Sequence, residues 1–199
     1  MPAMSAPTPA PTPARVLLLP GWLNSGPGHW QTRWETAHGD ERVQQADWLW
    51  PRRGDWMAQL DEALLADTHQ TPVVLAAHSL GCHLVAAWAA HSQHTARVRG
   101  ALLVAPPDLA RADLPPNVTR WHPAVLQPLP FAGQLLFSED DPYGAPTAAQ
   151  ALAAAWGVAA HSLGPCGHVN ADSGLGDWPA GRARLQALAQ AAGLVLPRG

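Results

Sequence analysis

Short apolar runs alternate along the chain with longer stretches whose apolar positions recur every three or four residues, a pattern that predicts strands and helices in turn. Arg15–Leu19 is apolar after its first residue, as expected of a strand buried on both faces of a parallel sheet. Pro72–Ala76, Arg99–Ala105 and Gly133–Phe137 repeat that character, Val158–Leu163 is the last short strand, and Arg42–Ala46 is a weaker candidate. Between them, helices are predicted from His29 to about His38, with Trp30 and Trp34 four apart, and from Asp55 to Asp67, with Trp56, Leu60 and Leu64 in register. Further helices are expected after Gly81 to about His94, over Pro146–Trp156, and from about Pro179 to Ala192. Asp108–Pro130 carries Pro115, Pro116, Pro123, Pro128 and Pro130 with little periodicity, and is expected as a loop-rich excursion over the sheet's edge.

This alternation predicts an α/β fold: one domain over residues 15–199, with a mostly parallel central sheet and helices on both faces. Residues 1–14, rich in Pro, Ala and Thr, are expected to form a disordered leader, because repeated prolines forbid a signal helix. Net charge is −3 and the basic residues are scattered arginines without a lysine, so no nucleic-acid partner is expected. No apolar run approaches the roughly 20 residues of a membrane span. Two cysteines, Cys82 and Cys166, make no disulfide framework, and a cytoplasmic location is expected. The histidines lack metal-ligand spacing, and the glycine-rich loop Gly21–Gly28 lacks both the Walker lysine and the dinucleotide spacing, so neither metal nor cofactor is expected.

Ala77-His78-Ser79-Leu80-Gly81 stands between a predicted strand and a predicted helix. There it matches a nucleophile elbow, Gly-x-Ser-x-Gly with Ala in the first small position. A serine hydroxyl needs an adjacent base, and the base needs an acid that fixes its tautomer. Candidates follow in the order serine, acid, histidine, each after a strand: Ser79, then Asp141 in the acidic turn Glu139-Asp140-Asp141-Pro142, then His168. Asp141 is favoured because Pro142 restricts its backbone, with Asp140 as the fallback. His78, beside Ser79 at a tight turn, is expected to be structural. In open parallel sheets the loops at the carboxyl ends of strands line the ligand crevice, so these distant positions become neighbours. Two backbone donors are needed for a developing oxyanion, and the amides of Leu80 and Trp22 are the candidates.

Leu19-Pro20-Gly21, Gly28-His29-Trp30, the Ser79 elbow, Asp140-Asp141-Pro142-Tyr143, Gly167-His168-Val169-Asn170 and Ser173–Gly181 together resemble the compact serine hydrolases related to retinoblastoma-binding protein 9 and its bacterial relatives. The resemblance implies a compact α/β-hydrolase fold without a large lid domain, and the triad Ser79, Asp141 and His168. Pocket-protein binding is not expected, since Leu80-Gly81-Cys82-His83-Leu84 lacks the glutamate of a Leu-x-Cys-x-Glu motif.

The expected activity is hydrolysis of a small carboxylic ester, or a thioester or amide, through an acyl-enzyme. The alternative is a catalytically idle hydrolase scaffold that binds a protein or metabolite. Trp22, Leu23, His29 and Trp30 are the candidate substrate contacts, and Trp48, Trp50, Trp121 and Trp178 are further loop tryptophans suited to an apolar pocket. Trp34, Trp56, Trp88 and Trp156 are expected in the core. Oligomeric state is left open by the sequence.

Overall fold

The structure, a computed structural model, describes residues 10–197. In chain order the elements are β1 (Thr12–Pro13), β2 (Arg15–Leu19), α1 (Trp30–His38), β3 (Glu41–Arg42), α2 (Arg53–Leu65), β4 (Val73–His78), α3 (Leu80–His91), β5 (Val98–Val104), α4 (Pro116–Thr119), β6 (Ala132–Phe137), α5 (Pro146–Trp156), β7 (Ala159–Ser162), α6 (Pro179–Ala191) and β8 (Leu194–Val195).

Six strands form a parallel sheet in the order β3-β2-β4-β5-β6-β7. Its two faces follow from the period of a strand. Val16 and Leu18 of β2 belong to one buried cluster with Trp30, Trp34, Leu185 and Leu188, whereas Leu17 and Leu19 belong to a second with Trp56, Leu60, Trp88 and Trp156. Helices α1 and α6 therefore cover one face and α2, α3 and α5 the other. Each fully buried aliphatic side chain contributes about 1.5–3 kcal/mol of transfer free energy, so a sheet apolar on both sides is stable only between two helical layers.

Chain direction reverses at β2. The next strand, β3, lies on one side of it and β4 on the other. That is the topological switch point of an open parallel sheet, where the loops after neighbouring strands part and leave a crevice. The loop after β2 and the elbow after β4 meet there.

Three expectations about organisation need correcting. Residues 1–9 of the expected leader lie outside the described residues, but Thr12 and Pro13 pair with Leu194 and Val195, and Ala14 is buried. The amides of Thr12 and Ala14 donate to Gly193 and Val195, while Pro13, which has no N–H, points its nitrogen away from the pairing. The weak strand at Arg42–Ala46 is instead β3 at Glu41–Arg42, paired with Leu17 and Leu18. The proline-rich excursion contains α4 and lies across the crevice, as described next, rather than over an edge.

Candidate active site

Ser79 sits between β4 and α3 with φ 55° and ψ −124°, a conformation strained for any residue with a Cβ. Its amide donates to Val104 O at 2.8 Å, which ties the turn to the neighbouring strand. The small residues around it are required by contact. A Cβ on Gly81 would lie 2.2 Å from the Leu19 carbonyl oxygen, and one on Gly21 would lie 2.7 Å from the Ser79 Cβ. The loop after β2 is thus pressed directly against the elbow.

Ser79 Oγ lies 2.9 Å from Nε2 of His168, and Nδ1 of His168 lies 3.0 and 2.9 Å from the two carboxylate oxygens of Asp141. A carboxylate only accepts, so Nδ1 carries the ring proton and Nε2 presents its lone pair to the serine hydroxyl. The structure brings all three residues together. Asp141 is nearly inaccessible, and one of its oxygens also accepts from the Tyr143 amide at 2.9 Å. Asp140 turns the other way, accepting from Ser138 Oγ at 2.7 Å and the Gly167 amide at 2.7 Å. Those bonds, the Ser138 hydroxyl first, hold its carboxyl below the usual range. Its role is to shape the loop that carries His168.

That loop is strained and clamped. Gly167 and Val169 both have positive φ, and successive carbonyls are held by side-chain donors: His168 O by His78 Nε2–H at 2.8 Å, and Val169 O by the Trp30 indole at 3.0 Å. His78 is therefore structural, as expected, but its structural task is to fix the backbone of His168. Burial, with His29 and His168 beside it, pushes the His78 imidazole well below its usual range, so it is a neutral donor.

The glycine-rich loop is fixed in turn by Arg42, whose guanidinium donates to Asn24 Oδ1 at 2.7 Å and Ser25 O at 2.8 Å and also pairs with Glu35. Gln31 bonds Ala76 O at 2.9 Å and Ser25 Oγ at 2.7 Å, linking loop to elbow strand. Among the described residues neither the Trp22 nor the Leu80 amide donates a hydrogen bond. Both candidate oxyanion donors are left unpaired beside Ser79.

A crevice of about 250 Å³ opens over Ser79 and His168. Of the candidate substrate contacts, Trp22, Leu23 and His29 line it and Trp30 does not. Trp30 is fully buried, edge-on to Trp34 at 4.6 Å and against Trp178 at 5.1 Å, so its contribution is the clamp on Val169. Trp121 and Trp178 are likewise core, Trp48 packs partly buried against the core, and Trp50 is half exposed. Leu114, Pro115 and Val118 from the proline-rich excursion form the opposite wall. Tyr143, edge-on to the His168 ring at 4.5 Å, and Asn170 complete it. Periodicity did not mark Leu114, Pro115 and Val118, because their place depends on the long connection folding back; Tyr143 and Asn170 had local signals, in the Asp-Asp-Pro-Tyr turn and the Gly-His-Val-Asn run.

The serine hydrolase family model matches residues 16–187. The chain belongs to the serine hydrolase family. Among solved structures, a YdeN-like hydrolase from Pectobacterium atrosepticum is 27% identical with a TM-score of 0.80, over 93% of this chain and 94% of that one. The ydeN gene product of B. subtilis is 19% identical with a TM-score of 0.67, over 89% and 99%. A thermophilic esterase from Thermogutta terrifontis is 14% identical with a TM-score of 0.61, over 91% of each chain. The last two share the fold. No curated protein matches the sequence. This serine hydrolase has the compact α/β-hydrolase fold, and no helix among its described residues is long and apolar enough to cross a membrane.

Proposed function

We propose that this hydrolase cleaves a small carboxylic ester, thioester or amide through an acyl-enzyme on Ser79. The observation that carries the reading is the unbroken chain from Ser79 Oγ through His168 to Asp141, placed beside two unpaired amides. As Oγ attacks the substrate carbonyl carbon, His168 Nε2 takes the serine proton, and Asp141 stays ionised and stabilises the imidazolium. The carbonyl oxygen becomes an oxyanion, and the Trp22 and Leu80 amides are the donors assigned to it. Collapse of the tetrahedral intermediate expels the alcohol, thiol or amine, which takes the proton back from His168. Water then attacks the acyl-enzyme by the same route and releases the acid.

The crevice is smaller than the roughly 300–1,000 Å³ of drug-sized ligand sites, which favours short acyl groups. A fluorophosphonate probe tests the nucleophile: wild type is expected to label and Ser79→Ala not. Equal labelling of both removes Ser79 from the role. On a panel of 4-nitrophenyl esters, kcat/KM is expected to be highest for the shortest acyl chains and to fall as they lengthen.

A further inference from the structure

The crevice over Ser79 adjoins a second hollow, of about 460 Å³, and the two share Tyr143, His168 and Asn170. Two of these shared residues are tied down through their side chains. The His168 ring is held between Ser79 and Asp141, and Asn170 Oδ1 caps the short turn Ala171–Ser173 by accepting the Asp172 amide at 3.0 Å. Tyr143 is held by its backbone instead: its amide donates to Asp141 at 2.9 Å, and its carbonyl accepts the Asp108 amide at 3.0 Å. The ring itself is 39% exposed, belongs to neither buried cluster, and lies edge-on to His168 with centroids 4.5 Å apart. Packing in the core does not account for an aromatic ring at this place, whereas a ligand that covers the ring removes its apolar surface from water.

Which part of a substrate reaches this ring follows from the proton transfer. The carbonyl oxygen must meet the oxyanion donors, and the leaving oxygen or sulfur must come within about 3 Å of His168 Nε2 to take its proton. Whatever the leaving atom carries therefore starts beside His168, against which Tyr143 packs. We infer that Tyr143 selects the leaving group: its ring receives a flat aromatic substituent on the alcohol or thiol, the larger hollow takes what extends past it, and the smaller crevice keeps the short acyl part. Substrates of this class are short-chain esters of aryl-bearing alcohols. An aromatic ring against Tyr143 is favoured over a saturated ring of the same size, because paired rings gain more than the area they bury. The inference rests on the reading of Ser79 as nucleophile.

Acetates that differ only in the alcohol test this, because all of them pass through one acetyl-enzyme and leaving-group selection is read in kcat/KM. Benzyl acetate is compared with cyclohexylmethyl acetate, its saturated match, each value divided by that ester's rate of alkaline hydrolysis. Wild type and Tyr143→Phe are expected to favour the benzyl ester about two- to tenfold, the range of one aromatic pair, and Tyr143→Leu and Tyr143→Ala to bring the ratio toward unity. The ratio is taken within each variant, so a general loss of activity cancels. A wild-type ratio near one overturns the inference, and so does a preference that survives in Tyr143→Leu. A Tyr143→Ala enzyme whose preference for benzyl acetate over benzyl butyrate shifts as much as its alcohol preference also overturns it, since the ring is then a wall of the acyl side. In each of these cases fluorophosphonate labelling of Ser79 and turnover of the acetates leave the hydrolase reading standing. If wild type reacts with neither ester nor probe, both fall together.

Discussion

Acidification is expected to unfold this protein early, because three buried histidines are held neutral in the fold. Burial is the main cause at each: His29 is pushed down to about 3, His83 to about 4, and His78 well below its usual range. Other groups act on them as well. Arg42 and His168 disfavour the charged form of His29, and His29 and His168 that of His78. Arg53 opposes charging of His83, while its bond to Pro107 O and the nearby Asp108 favour it. Unfolded, each ring takes a proton near pH 6.5. Below that value the unfolded chain binds protons that the folded chain refuses, so the stability these groups supply is complete above pH 6.5 and is lost as pH falls toward 4 and 3.

At 1.36 kcal/mol per pH unit per group, the loss at pH 5 is about 2 kcal/mol each, or about 6 kcal/mol for the three. Asp40 acts in the opposite sense. Burial raises it to about 6 despite Arg182, so it regains stability as pH falls below 6, about 1 kcal/mol by pH 5. The net loss of about 5 kcal/mol is most of the margin of a small domain, whose total is typically about 5–15 kcal/mol. Urea unfolding followed by tryptophan fluorescence from pH 8 to pH 5 measures it directly. The slope below pH 6 is expected to approach two protons, the three that the unfolded histidines take up less the one that folded Asp40 takes up, and His83→Gln is expected to remove about one. A stability constant within about 1 kcal/mol over pH 7.5 to 5 would refute the reasoning, since it requires those rings to charge inside the fold.

Asp141→Asn is expected to lower kcat by about 10⁴-fold through the wrong His168 tautomer. Asp140→Asn, at a carboxylate bonded to Ser138 and the Gly167 loop and not to His168, is expected to cost at most about tenfold, and steady-state kinetics on a short ester decide between the two carboxylates. Gly21→Ala drives a Cβ against Ser79 and shifts the loop that carries the Trp22 amide. It is expected to reduce kcat by about 10²–10³-fold, as loss of one oxyanion donor does, and an unchanged kcat removes Trp22 from that role. Arg182 pairs with Asp40 in the interior, with both side chains at 5% exposure or less. Arg182→Met is expected to cost about 3–5 kcal/mol by urea titration at pH 7, and Arg182→Met with Asp40→Leu to recover most of it, because the single change leaves an unpaired buried charge.

The parts of this protein that were readable in its sequence are those decided by nearby residues. A strand running into Ser79 and a helix leaving it are local facts, and the strain at Ser79 with close contact at Gly81 is the geometry that such a pattern demands. Asp140 and Asp141 were harder, because adjacent residues at a strand end point apart. The outcome follows from the turn, in which Asp141 accepts the Tyr143 amide and so faces His168, leaving Asp140 to the Gly167 loop.

Trp30 shows a different failure. It lies one turn from Trp34 on α1, and residues four apart share a helix face, so a core position for Trp34 already implied one for Trp30. Its place beside a glycine-rich loop suggested a pocket, yet helix geometry outranks proximity in sequence. The excursion from Asp108 to Pro130 had no such internal logic to read. Arg53 binds the carbonyls of Trp121 and Pro123, and Asn117 binds Leu49 O at 2.6 Å, so its path over the crevice is set by partners some 70 residues away along the chain. Leu114, Pro115 and Val118 become a pocket wall only after those bonds form. In this fold the candidate reacting groups are specified locally, at the ends of strands, while the far wall of the crevice above them is specified by long-range contacts, and this is why the proposed chemistry could be read before the shape of the pocket.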